Sequence, residues 1–313
     1  MWPSSFLLLL FGCLASALFT PLSMRIAVRA HAIDFPDGGR KTHARPTPRL
    51  GGLAVFLSAA TLSLFFLSPT PTAAAWLAGG ALLCALGVSD DIFSLTPRLK
   101  MTAMVFICLL PVCFGLAPTA LTLGELTLPL SPPLGILLAL LWLLLLTNAY
   151  NLIDGLDSLA ASQGMVSALF LSLSTATPEG LLLCGALFGF LPYNRPALRW
   201  MDGKVKRVPT RTFLGDTGAL FIGYSLAVLS LGAEGRFSLF LLLLFTLPLY
   251  ELFSSVLRRV IKGKNPFAAD GDHLHHRMLK HGYSPSAAAF LLFLYAILFA
   301  SLFFLAETLV PFF

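Results

Sequence analysis

Almost every positive charge in this chain is confined to four short stretches that separate long apolar runs. Residues 25–50 hold six Lys or Arg, 93–100 hold two, 194–213 hold six and 258–284 hold six. Of the 21 such residues in 313, only Arg236 lies elsewhere. A bilayer core is crossed by about 20 apolar residues in helical form, and the runs between the basic stretches meet that need in pairs. Backbone in lipid must satisfy its hydrogen bonds within the segment, which restricts such runs to helices or a closed barrel. With 57% hydrophobic and 12% charged residues, and a mean hydropathy of +0.84, an ordinary soluble domain is excluded. The expected fold is an all-α polytopic membrane protein, one domain over 1–313.

Ten helices are expected, at roughly 5–24, 51–68, 74–92, 101–117, 133–150, 158–175, 180–193, 214–232, 237–258 and 285–306. Lys and Arg collect on the cytoplasmic side of membrane proteins. That rule puts the four basic loops in the cytoplasm, joined by a short turn at 151–157, and both termini outside, on the periplasmic face. The first span could pass for a signal peptide, but Arg25 and Arg29 follow it and no charge precedes it, the reverse of a signal's order. The basic pI near 9.2 does not imply nucleic acid, because the charge sits in topology-setting loops. Cys13, Cys84, Cys108, Cys113 and Cys184 all fall in apolar runs without metal-ligand spacing and read as small hydrophobes. On the outer side, Leu121 to Leu128 alternates as a small hairpin would.

The acidic residues carry the chemistry. All ten aspartates and all six histidines lie at or near the inner face, whereas four of the five glutamates lie on the outer side or at its border. An aspartate in the membrane costs roughly 2.5–3.5 kcal/mol on insertion scales, so repeated placement at span ends asks for a reason. The third span ends in GVSDDIFSLTPRLK, where Asp90 and Asp91 point about 100° apart and can take different tasks. A purely solvated helix end would favour Lys or Arg there. In NAYNLIDGLDSLA, Asn148, Asn151, Asp154 and Asp157 recur every three residues, a polar stripe leaving a membrane helix. Capping of the next helix by Asp157 or Ser158 would explain only one of them. Asp216 in FLGDTGALFIG stands at the start of an apolar helix, where taken alone it reads as an N-cap and where anions and their cations also gather. DHLHHR brings His273, His275, His276 and Arg277 together, with Lys280 beyond. Lys41, His43, Arg45 and Arg49 are spaced between prolines in the first loop. Aspartates with phosphates suit Mg²⁺, or Mn²⁺ as the second choice, better than zinc.

These five ordered motifs (RKTHARPTPRLGG, GVSDDIFSLTPRLK, NAYNLIDGLDSLA, FLGDTGALFIG and DHLHHR) resemble those of the polyprenyl-phosphate N-acetylhexosamine-1-phosphate transferases, the MraY/WecA superfamily or glycosyltransferase family 4. The HLHHR form and the first loop look more like the WecA/TagO branch. Ser158 and Ala219 stand where the family usually has glycine and serine, and a basic insertion spans about 199–211. The resemblance implies a Mg²⁺-dependent enzyme of the bacterial cytoplasmic membrane, with its active site in a cleft on the cytoplasmic face and often dimeric. It would pass a sugar 1-phosphate from a UDP-N-acetylhexosamine, UDP-GlcNAc first, to undecaprenyl phosphate. It also implies roles. Asp216 and Asp91 would hold metal, and Asp90 and Asp91 would position or deprotonate the lipid phosphate. Phe213 would stack on uracil beside Asn194, Asp154, Asp157 and Asn151. His273, His275, His276, Arg277, Lys41 and Lys100 would meet the diphosphate or sugar. The competing readings are the same chemistry on another UDP-sugar, or a secondary transporter or lipid flippase. The latter favours internal repeats and midplane charges, and neither is evident here.

Overall fold

The computed structural model describes residues 2–35, 46–195, 211–232, 235–263 and 272–309. In chain order the elements are α1 (Trp2–Arg29), β1 (Ile33–Asp34), β2 (Thr47–Pro48), α2 (Gly51–Phe66), α3 (Pro71–Phe93), α4 (Pro97–Cys108), α5 (Leu110–Cys113), β3 (Ala120–Leu123), β4 (Leu126–Pro129), α6 (Pro132–Ile153), α7 (Leu159–Thr175), α8 (Pro178–Phe190) with a 3-10 turn over Leu191–Asn194, α9 (Gly215–Leu231), β5 (Arg236–Ser238), α10 (Leu241–Leu244), α11 (Thr246–Ile261), α12 (Leu274–Lys280) and α13 (Pro285–Leu309). Proline opens α3, α4, α6, α8 and α13, where its missing N–H costs nothing and its fixed φ suits the first turn.

Helix α9 is the axis of the bundle. Every residue from Thr217 to Leu231 is buried, and an apolar helix buried all round belongs at the centre. It lies against α2, α3, α6 and α7. Hydrogen bonds between helices fix the rotation: Trp76 Nε1 donates to Ser225 Oγ (2.7 Å), Trp142 Nε1 to Ser230 Oγ (2.8 Å) and the Tyr224 hydroxyl to the Ala75 carbonyl (2.7 Å). Small residues let backbones close in, as membrane bundles favour. Gly52 of α2 meets Gly218 of α9 so closely that a Cβ on either would collide with the other helix. Outward faces are apolar, with Phe6, Leu18, Phe65, Phe106 and Leu298 all exposed, as a lipid-facing surface requires.

The structure is mostly helical, as expected, and four helices are long and apolar enough to cross a membrane: Ser5–Arg29, Pro71–Phe93, Pro132–Ile153 and Pro285–Leu309. Gly51–Phe66, Leu159–Thr175 and Gly215–Leu231 are shorter apolar helices. Two expected spans are broken. The one at 101–117 divides into α4 and α5, because Pro111 supplies no N–H to the helix before it. The one at 237–258 starts as strand β5 and restarts as α11 with Pro248 in its first turn. The hairpin read at 121–128 is present as β3 and β4, paired Leu121 with Leu128. Strand β5 joins β3 in parallel, a non-local pairing that alternation alone does not signal.

Candidate active site

The basic loops converge at one end of the bundle. Pro48 of β2 accepts hydrogen bonds from Phe213 N–H (2.8 Å) and Thr212 Oγ1 (2.9 Å), while Gly51 and Gly52 donate to the carbonyls of Phe213 (3.0 Å) and Leu214 (2.8 Å). The PTPRLGG and TFLGDTG segments are thus zipped together by main-chain bonds. Gly215 adopts φ +72°, and a Cβ there would strike the Arg49 carbonyl oxygen, so the crossing requires glycine.

Asp90 and Asp91 divide their work. Asp91 is 8% exposed. Its carboxylate accepts from the N–H groups of Asp216 and Thr217 (both 3.1 Å) and from Thr217 Oγ1 (2.7 Å). The cap position of α9, Leu214, offers no side-chain acceptor. A carboxylate from α3 therefore satisfies two of the orphan donors of α9. The expectation that Asp216 caps its own helix is corrected here: Asp216 sits inside the first turn, and Asp91 is the cap. Asp91 was also expected to hold metal, but its oxygens are spent largely on α9.

Asp90 points the other way. Its Oδ1 accepts from Leu95 N–H (2.7 Å) and its Oδ2 from Lys100 Nζ (2.8 Å). Lys100 stands in the first turn of α4, which Pro97 opens. Its ammonium also pairs with Asp216 Oδ2 and donates to Asn151 Oδ1 (3.2 Å). Asn151 Nδ2 in turn donates to Asp216 Oδ1 (2.8 Å). Three oxygens from α3, α6 and α9 therefore surround one positive centre. Among the described residues no three His, Cys, Asp or Glu side chains form a metal cluster. The set that does converge is two carboxylates and an amide oxygen, hard donors of the kind Mg²⁺ takes together with substrate phosphates, and the Lys100 ammonium demonstrates that their position favours a cation.

Of the asparagine and aspartate stripe, Asn148 turns its Nδ2 back to the Leu144 carbonyl of its own helix (2.8 Å). Asp154 ends α6. Burial, and then the charges of Asp216, Asp91 and Asp157, hold its carboxyl well above the usual range. Ser158 adopts φ +67° and its side chain makes no capping hydrogen bond to α7, so the capping alternative fails for Ser158. That φ also gives a physical reason for glycine to be usual at this position. The Ser158 N–H and hydroxyl donate instead to Asn194 Oδ1 (2.7 Å) and the Asn194 carbonyl (3.2 Å). Asn194 Nδ2 donates to the Thr212 carbonyl (3.0 Å). Asn194, expected at the nucleoside, is 3% exposed and bound by the chain at both ends of its amide, so it builds the wall of the cleft. Asp157 pairs with Arg211, whose guanidinium carbon lies 5.3 Å from the centre of the half-buried Phe213 ring.

Helix α12 brings the histidine motif onto the same turn. His275 is 1% exposed, and its Nε2 abuts Gly155 so closely that a Cβ there would collide. Burial, then the nearness of His276 and His273, lowers the His275 imidazole to about 3. His276 is lowered too, first by burial. The rings of His273 and His275 stack at 5.6 Å, and those of His275 and His276 lie 4.2 Å apart. Arg277 Nε donates to the Asp272 carbonyl (3.1 Å) and, with Lys280, flanks its carboxylate, which these partners hold below the usual range, the Lys280 hydrogen bond first. Lys41, His43, Arg45, Asp270 and residues 199–210 lie outside the described residues.

Sequence reasoning passed over Arg211, the Asp34–Arg49 ion pair and Glu251. A signal existed for two of them. Arg211 lies two residues before Phe213, and Glu251 is the one glutamate away from the outer side.

The structure is thus a bundle of apolar helices whose loop ends gather carboxylates, an amide, a lysine and three histidines in one place. Residues 73–234 match glycosyl transferase family 4. The chain is 30% identical over 306 residues, covering 90% of it and 79% of the relative, to a Bacillus subtilis protein named "Probable undecaprenyl-phosphate N-acetylglucosaminyl 1-phosphate transferase". It is 30% identical to the decaprenyl-phosphate N-acetylglucosaminephosphotransferase of Mycolicibacterium smegmatis, covering 86% of this chain and 74% of that one. It is 26% identical to the undecaprenyl-phosphate alpha-N-acetylglucosaminyl 1-phosphate transferase of Escherichia coli strain K12, covering 94% and 82%. The chain belongs to glycosyl transferase family 4.

Proposed function

We propose that this protein transfers N-acetylglucosamine 1-phosphate from UDP-N-acetylglucosamine to undecaprenyl phosphate, releasing UMP, as a first step of envelope-polysaccharide synthesis at the bacterial cytoplasmic membrane. In this reading it is one domain of ten spans on the WecA/TagO branch, with the described cleft facing the cytoplasm. One substrate is a soluble anion and the other a lipid, so the reaction belongs where helix ends meet water. A phosphate oxygen of the lipid bonds to the β-phosphorus of the donor, and the bond from that phosphorus to the oxygen bridging to UMP breaks.

The observation that carries the reading is the convergence of Asp90, Asp216 and Asn151 oxygens on one cation position. Asp216 and Asp90, with Asn151 beside them, would hold Mg²⁺, which supplies positive charge against the repulsion of two anionic substrates. Asp91 keeps Asp216 in place through the first turn of α9. Lys100 pairs with both acids and stands ready to meet phosphate charge. Phe213, with Arg211 and Asp157 beside it, offers an aromatic face to the uracil. Asp154 and the histidines of α12 border the diphosphate and sugar.

The test uses membranes carrying the protein, undecaprenyl phosphate, Mg²⁺ and a panel of UDP-sugars, with UMP measured by chromatography. Lipid-dependent UMP release with UDP-N-acetylglucosamine is the expected result. Release only with UDP-N-acetylmuramoyl-pentapeptide would reassign the sugar, and no release with any donor would end the reading.

A further inference from the structure

Glu251 stands apart from the other glutamates. It lies on α11, is 2% exposed, and spends both carboxylate oxygens on the start of the histidine motif. Oε1 accepts from the Leu274 N–H at 2.5 Å, and Oε2 lies 3.2 Å from His273 Nδ1. Ser255 Oγ is 3.3 Å from the same nitrogen and accepts from Arg258 (2.9 Å). A carboxylate oxygen has no proton to give, so the contact with Oε2 is attractive only when Nδ1 carries the hydrogen. His273 Nε2 has no hydrogen-bond partner among the described residues, in contrast to Nδ1, which is held from two sides.

We propose that Glu251 is a positioning residue that locks His273 as the Nδ1–H tautomer, so that Nε2 is presented to the sugar of the donor as a hydrogen-bond acceptor. This rests on the transferase reading above. The chemistry separates the two halves of the donor. A diphosphate offers only acceptors, while an N-acetylhexosamine offers hydroxyls and an acetamido N–H. An imidazole with its lone pair on Nε2 therefore suits the sugar and not the phosphates. The same glutamate caps the N–H of Leu274, so the position of α12 and the tautomer of its leading histidine are set by one group. A third residue that holds the correct histidine tautomer is a recognised device in other enzymes.

Glu251→Gln separates the two tasks. Its amide oxygen still accepts from Leu274 N–H, and its NH₂ then faces Nδ1 as a donor, which moves the histidine proton to Nε2. The purified full chain, labelled with ¹⁵N-histidine in nanodiscs, is compared with E251Q, the His273 signals being assigned by their loss in H273Q. Wild type is expected to give the Nδ1–H pattern, and E251Q the Nε2–H pattern with an unchanged melting temperature. In the UMP-release assay, E251Q is expected to lose about 100-fold in kcat/KM for the UDP-sugar, with substantial recovery in E251D. An Nε2–H pattern in wild type, or E251Q with wild-type kcat/KM, overturns the proposal. Should E251Q not fold, the wild-type spectrum alone still decides the tautomer. Absence of UMP release by wild type would count against the transferase reading, while the spectra still judge the role of Glu251.

Discussion

At the C-terminal end of α3, Asp90 turns to Lys100 while Asp91 turns to the first turn of α9. Sequence could say that adjacent residues on a helix face different ways. It could not say what each would meet, because Lys100, Asn151 and Asp216 come from three other places in the chain. The division has a consequence. Asp216→Asn removes a carboxylate from the cation position but leaves the Asp91 cap of α9 and the bond to Asn151 available, so the fold is expected to survive. Turnover should fall by about 10²–10³-fold, the scale of losing one preorganised charge contact, with melting temperature near wild type. Turnover equal to wild type would remove Asp216 from the reaction. Phe213→Ala takes away an aromatic face worth about 1–3 kcal/mol per stacked base. UDP-sugar affinity is expected to weaken about 5- to 150-fold while KM for the lipid phosphate holds. Unchanged calorimetric affinity for UDP-sugar would refute stacking.

At the scale of elements, the short α12 is held on the 154–158 turn by His275 against Gly155. The buried imidazole stays neutral, lowered to about 3 from the ordinary value near 6.5. Below pH 6.5 the unfolded or opened form binds a proton that the packed form refuses. Stability therefore falls as pH drops from 6.5 toward 3 and is fully present above 6.5. The loss from this one group is about 2 kcal/mol at pH 5. Melting temperature should decline between pH 7 and pH 5, and the decline should shrink in His275→Gln; an identical pH profile in that variant would place the effect elsewhere. Elements also mark where periodicity misled. The broken helices at α4–α5 and α10–α11 read as continuous apolar runs, because hydropathy records burial in lipid and not the hydrogen bonds that Pro111 and Pro248 withhold.

At the scale of the whole molecule, four basic stretches far apart in sequence meet at one end of the bundle, through Pro48 with Phe213, Lys100 with Asp216, Arg211 with Asp157, and His275 with Gly155. In the function proposed above, the charge asymmetry puts that end in the cytoplasm. Single cysteines placed in a background cleared of the native five are expected to follow it. One at Gly124, in the hairpin between β3 and β4, should react with a membrane-impermeant maleimide in intact cells, and one at Arg98 only after permeabilisation. The opposite labelling would invert the bundle and put the cleft where no UDP-sugar is found.

The membrane class, the approximate helices, the small β3–β4 hairpin and the roster of acids, histidines and lysines follow from the sequence by itself, since transfer free energy and turn chemistry act over short distances along the chain. Which acid caps α9, which partners Lys100, that Asn194 is a clasp and that Glu251 holds His273 were decided only in three dimensions. Those roles depend on which segments touch; around α9 that is set by glycine-lined crossings, which bring Asp91 to Thr217 and Lys100 to Asp216 across more than a hundred positions of chain.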